Sequence, residues 1–193
     1  KTGVSPRSLL VSTVGDELKM ATGGHAKVWG LGFKDRAGIL MAGHLADGVL
    51  WFDEESGRWI SSRYYFKDGR LPAWLEAWNA RRPIDAWFGK IWAFSVPDSA
   101  RARLWTPEGA NASPSAGQGN AFPHRIDGGL TAPGKAFYRS FETSPFANGY
   151  VFDTALEIVA KEHLGPDGVP DILSISLSTN DYVGHAYGPD SPE

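Results

Sequence analysis

Asp181 and His185 stand four residues apart in Thr179-Asn180-Asp181-Tyr182-Val183-Gly184-His185, just beyond a segment, 171–178, that reads as a β-rich run. A carboxylate oxygen and an imidazole at i and i+4 can meet one divalent ion if the loop between them turns helically. In open α/β sheets, functional sites form outside the carboxyl ends of strands, where this loop is expected. The plainer alternative is a loop aspartate capping a helix beside an ordinary histidine, and spacing alone leaves both readings open.

Lys34 and Arg36 follow the other clear strand. If the sheet is parallel, both loops open on one edge, and an extended backbone at 34–36 would put the two cations on one side. Two cations beside a metal would suit a phosphoryl or sulfuryl group, whose transfer relies mainly on electrostatic stabilisation. The alternative is a pair of solvated residues flanking a helix cap at Asp35. His44 and Asp47, three apart, read as structural residues at a helix end. His25, His124 and His163 are isolated and receive no role. Trp87, Trp92 and Trp105 could form a sugar platform, but such rows more often make a small core of their own. Ser12-Thr13 and Ser178-Thr179 supply hydroxyls without a Gly-x-Ser-x-Gly elbow, and neither a Walker A loop nor a Rossmann glycine fingerprint is present. The residues themselves therefore point to no nucleophile.

The elements that must position these groups alternate. Ser5-Pro6-Arg7-Ser8 with Leu9, Leu10, Val14, Leu18 and Met20 predicts one capped amphipathic helix ended by Gly23-Gly24. Ala26 to Phe33 reads as a buried strand, followed by a short helix from Ala37 to Ala42. Val49–Phe52 and Arg58–Ser61 suggest a hairpin with a longer loop, and Pro72 opens a helix through Leu75 and Trp78. From Ile84 to Pro145 the pattern dissolves into Gly, Pro, Ser and scattered aromatics, the mark of an insertion or lid. Phe146, Tyr150, Phe152, Ala155, Leu156 and Val159 then give helical spacing up to Leu164-Gly165-Pro166.

Composition narrows the classes. The 193 residues are 42% hydrophobic and 21% charged, which excludes a disordered tail or a coiled coil. The 23 glycines and 13 prolines exceed the average usage of roughly 12%, which predicts many loops. No apolar run approaches the roughly 18 residues that span a bilayer. Net charge is −3 with both signs interspersed, so no basic face for nucleic acid is expected. The absence of cysteine removes disulfides, iron–sulfur clusters and thiolate zinc sites, leaving histidine and oxygen ligands for any metal.

Five stretches together resemble a known family. They are Ser12-Thr13-Val14-Gly15-Asp16-Glu17-Leu18-Lys19, Lys34-Asp35-Arg36-Ala37-Gly38-Ile39-Leu40, Ala42-Gly43-His44-Leu45-Ala46-Asp47, Thr143-Ser144-Pro145-Phe146-Ala147-Asn148 and Asn180-Asp181-Tyr182-Val183-Gly184-His185-Ala186-Tyr187-Gly188-Pro189. In this order they resemble the phosphate-irrepressible alkaline phosphatases of the alkaline phosphatase superfamily, which also holds the type I phosphodiesterases and nucleotide pyrophosphatases. The resemblance implies an α/β fold: part of an α/β/α sandwich with a largely parallel sheet and a loop- and β-rich insertion at about 84–145.

It also implies a secreted or periplasmic phosphomonoesterase with two zinc ions and a threonine nucleophile that becomes phosphorylated. Asp181 and His185 match two ligands of the first zinc, and Lys34 and Arg36 match the cations that contact phosphate oxygens. The nucleophile and the remaining ligands of that family have no counterpart in this chain, so the expectation is a central segment, 1–193, of one phosphatase domain. Such a segment would carry part of a zinc site and be inactive alone, with the rest of the enzyme expected upstream and downstream. The competing expectations are a phosphodiesterase or sulfatase of the same superfamily, or a non-catalytic interaction domain.

Overall fold

The computed structural model describes residues 3–193 except 96, 98, 100–102, 104–108, 110–111 and 115–116; Trp105 lies outside the described residues. The chain forms two compact units: residues 1–53, 58–83 and 150–177 make the first, and 54–57, 84–149 and 178–193 the second.

The first unit is a four-stranded sheet. β1 (Val28–Gly32) lies between β2 (Gly48–Asp53) and β6 (Ile172–Ser176), parallel to both, and β3 (Arg58–Ile60) closes the β2 side antiparallel. All five residues of β1 are buried, which is why it reads as an unbroken apolar run rather than an alternating one. Side chains alternate between the faces. On one face Val28, Val49 and Trp51 pack with Ile39 and Ala42 of helix α2 (Asp35–Ala42). This contact is so close that a Cβ on Gly30 would lie 2.7 Å from the Gly38 carbonyl oxygen. On the other face Phe33, Phe52, Trp59 and Tyr150 form an aromatic layer, with Trp59 stacked on Tyr150 at 5.5 Å.

Tyr150 belongs to helix α5 (Phe146–Lys161), so helices cover both faces of a largely parallel sheet, as expected of the α/β class. Asn79 of helix α3 (Ala73–Arg81) accepts a bond from the Trp59 N–H at 3.0 Å and donates to its carbonyl at 2.8 Å, satisfying the edge of β3.

Two helical expectations are corrected. The first helix does not start at Ser5-Pro6: Pro6–Ser8 is only a single 3₁₀ turn, and helix α1 runs Val14–Ala21. Thr13 and Asp16 form a reciprocal capping box there, which starts the helix eight residues later than expected and leaves Leu10 exposed. Helix α5 forms as expected but presents a different face. Ala147, Tyr150, Val151, Thr154, Ala155 and Ile158 are buried, whereas Phe152, Leu156 and Val159 are exposed.

The second unit fills the stretch that lacks periodicity. Strands β4 (Lys90–Trp92) and β5 (His124–Ile126) pair antiparallel, and helix α4 (Lys135–Glu142) buries Phe137, Tyr138 and Phe141. Gln118 is buried and its amide donates to the Ser140 and Thr143 carbonyls, at 3.0 and 2.9 Å, closing the end of α4. Among the described residues no helix is long and apolar enough to cross a membrane.

Candidate active site

The sheet carries its candidate residues at the carboxyl edge. Gly32 is in register with Ser176 of β6 and Trp51 of β2, so β1 and β6 end level while β2 runs two residues further, to Asp53. Lys34, with φ −87° and ψ 128°, is the last extended residue and caps α2, whose first position is Asp35. Arg36 already lies in the helix, so the extended geometry expected to put Lys34 and Arg36 on one side is absent. Lys34 is half-buried and Arg36 exposed. Asp35 is not the cap, and its Oδ1 accepts from the Arg36 N–H at 2.7 Å.

The residues around His44 are structural, as their spacing suggested. Asp47 accepts from the Val28 N–H at 2.7 Å and from Lys19 Nζ at 2.7 Å, tying α1 to the start of β1. Asp16, 2% exposed, accepts from the N–H groups of Thr13 and Leu45 and lies 3.3 Å from His44 Nδ1. Burial pushes its carboxyl up, but the bonds from Leu45, Thr13 and His44 outweigh that and hold it below the ordinary carboxylate value.

In the second unit, the segment expected as a loop after β6 is helix α6 (Thr179–Tyr187), stopped at Gly188 with φ 98°. Gly188-Pro189 was the readable stop signal for this helix. One face of α6 buries Thr179, Val183, Ala186 and Tyr187. The other presents Asp181 and His185, with side chains 51% and 80% exposed, and brings Asp181 Oδ1 to 3.5 Å from His185 Nε2.

Two ligands of a tetrahedral zinc at 2.0–2.1 Å are about 3.3 Å apart, so the donor pair fits one zinc ion. Both donors line an open depression of about 540 Å³ with Gly188, Ser191 and Glu193. Among the described residues there is no group of three or more His, Asp and Glu that could complete a metal site. Asp181 and His185 are thus brought together in the second unit, while Lys34 and Arg36 belong to the first.

Trp87 stacks on Phe146 at 5.2 Å, and Trp92 packs edge-on to Phe122 at 5.2 Å. Both serve the unit's own core rather than a sugar platform. The residue most clearly missed is His124. It is fully buried beside Trp92, Phe122 and Tyr187, and its Nε2 lies 3.0 Å from Glu193 Oε1. Burial, and then the nearby Glu193, push the Tyr187 hydroxyl above its ordinary value. No local signal marks this cluster, because Tyr187 and Glu193 lie far from His124 in sequence.

No family model matches the chain. It is 35% identical over 98% of its length to alkaline phosphatase PhoV of Synechococcus elongatus. It is 34% identical over 98% to a protein of Myroides odoratus named calcium-transporting ATPase. It spans 34% of the length of each. The crystal structure of wild-type alkaline phosphatase PafA superposes with a TM-score of 0.78 at 31% identity, over 98% of this chain and 36% of that one. A crystal structure of a PafA variant substituted at a threonine, an asparagine, and a lysine and arginine two positions apart superposes with a TM-score of 0.75.

Proposed function

From a likeness to named alkaline phosphatases along nearly all of its length, we propose that this chain is the central segment, 1–193, of a secreted or periplasmic metal-dependent phosphomonoesterase that works with two zinc ions. The observation that carries the reading is the Asp181–His185 pair, held 3.5 Å apart on the exposed face of α6. Asp181 and His185 would hold one zinc, which when bound lowers the pKa of an oxygen nucleophile and neutralises charge on phosphate oxygens.

The chain's own residues divide the remaining work. Lys34 and Arg36 contact the non-bridging oxygens of a phosphate monoester, orient it, and oppose the charge that develops as the ester bond breaks. The lysine–arginine pair substituted in the PafA variant has the same two-residue spacing, which supports assigning Lys34 and Arg36 to substrate. The threonine nucleophile, which would take the phosphoryl group and release the alcohol before water frees phosphate, is assigned to no residue of this chain. These 193 residues alone are therefore expected to be inactive. A dianionic monoester, rather than a diester, is the substrate that uses two cations fully.

Zinc content and p-nitrophenyl phosphate hydrolysis of the full-length protein test this. Asp181→Ala and His185→Ala should each lose bound zinc and activity together. Variants that keep full zinc and full activity would overturn the assignment.

A further inference from the structure

Helix α6 has only nine residues, too few to hold a direction by helical propensity alone. Its aim must come from tertiary contacts: at its end the Ser113 N–H donates to the Ala186 carbonyl at 2.5 Å, and the side-chain contacts meet at one imidazole. Tyr187 Oη lies 3.3 Å from His124 Nδ1. Six residues on, the chain returns and Glu193 Oε1 meets the opposite nitrogen, Nε2, at 3.0 Å, with both side chains fully buried. Phe122 packs on the ring at 4.5 Å and Tyr187 at 4.8 Å.

Proton bookkeeping makes the contact polar and directional. Nδ1 faces the Gln118 carbonyl at 2.9 Å, and a carbonyl only accepts, so Nδ1 carries a proton. The Nε2–Oε1 contact then holds a second proton between imidazole and carboxylate. The other carboxylate oxygen of Glu193 has no hydrogen bond among the described residues, which leaves His124 as the partner that matters. A buried pair of this kind adds little over an apolar replacement, but removing one member strands the other, so it enforces one arrangement of the segments that carry it.

We propose that His124 and Glu193 are positioning residues: their buried contact anchors the end of α6 to the β4–β5 strand pair and so fixes the aim of Asp181 and His185. Glu193 lines the same depression as those two donors, so the anchor and the donors share a wall. The helix sets the spacing of the donors, and the anchor sets where the pair points. The inference rests on reading Asp181 and His185 as zinc ligands.

Amide hydrogen exchange across 181–187 of the metal-free full-length protein and its titration with Zn²⁺ alone, read on the His185 imidazole by NMR, test it. His124→Ala and Glu193→Ala should each speed exchange in α6 at least about tenfold while the Leu31 and Leu50 amides stay protected. Each should also raise the Zn²⁺ concentration needed to shift the His185 resonances by about 10–100-fold, the usual affinity cost of losing a group that orients a ligand. The neutral pair, His124→Gln with Glu193→Gln, should recover both.

Single variants that remain folded with native α6 exchange would overturn the proposal, and so would a neutral pair no better than the singles. Where an alanine variant unfolds, Glu193→Gln alone takes its place. Loosening confined to α6 supports the anchor, and unchanged exchange overturns it. A Zn²⁺ response that survives Asp181→Ala would instead sink the zinc reading, while the exchange measurement still decides the anchoring.

Discussion

In the sheet unit, Lys34 follows two residues after β1, a fully buried strand bonded to parallel neighbours on both sides. In the second unit, Asp181 and His185 ride on a short helix whose end is held by Tyr187, His124 and Glu193 side chains. The first arrangement distributes its support over many backbone bonds and a large apolar core. The second rests on one buried face of a nine-residue helix and a few buried polar contacts at its end. The sheet site should therefore tolerate loss of any one surface group in its fold, while the helix site should answer to single substitutions away from its chemistry.

The largest expected effect strikes the apolar support itself. Trp59→Ala removes a fully buried ring stacked on Tyr150 and leaves Thr154 without its indole partner, 2.9 Å away. It should cost about 3–5 kcal/mol in urea unfolding. A loss under 1 kcal/mol would show that the sheet unit does not depend on its aromatic layer.

Next come the cations at the sheet edge. Lys34→Ala or Arg36→Ala in the full-length protein should lower kcat/KM for a monoester by about 10²–10³. Unfolding free energy should move by only about 0.5 kcal/mol. Diester hydrolysis should fall less, and equal losses on both substrates would make the pair general positioning groups.

A smaller effect tests the cap that displaced the first helix start. Thr13→Ala should cost about 0.5–2 kcal/mol. Because the folded-state pKa of Asp16 is depressed, its ionised form stabilises the fold at neutral pH, and that contribution fades as pH falls through the carboxylate range. Asp16→Asn should thus be less stable than wild type at pH 7, with the gap closing below about pH 4, the ordinary aspartate value. A gap constant with pH would assign the loss to shape rather than charge.

The smallest effect is expected at an exposed ion pair of the second unit, Lys135 with Glu55. Lys135→Ala should change thermal stability by about 0–1 kcal/mol. A larger loss would mean that the unit leans on its surface charges as well as its buried ones.

Where one local rule dominates, sequence and structure agree. Val28–Gly32 is a strand because its apolar run is too short for a helix and bounded by Gly23-Gly24 and Lys34-Asp35. The β2–β3 hairpin and the helix after Pro72 follow from similarly local signals, whereas the parallel sheet was what the family resemblance implied. The helix Lys135–Glu142 was not expected: it lies in the stretch from Ile84 to Pro145 read as patternless, although Phe137, Tyr138 and Phe141 carry helical spacing.

Sequence by itself determined the candidate chemistry: an i, i+4 carboxylate–imidazole pair after one strand and two cations after another. Tertiary structure alone decided two further things. It turned α5 so that Tyr150 rather than Phe152 meets the aromatic layer. It also joined His124 to Tyr187 and Glu193. Hydrophobic period and cap residues are local quantities, readable within one or two turns. The His124 contacts to Tyr187 and Glu193 exist only because segments more than 60 residues apart exclude water together, and no window along the chain contains that information.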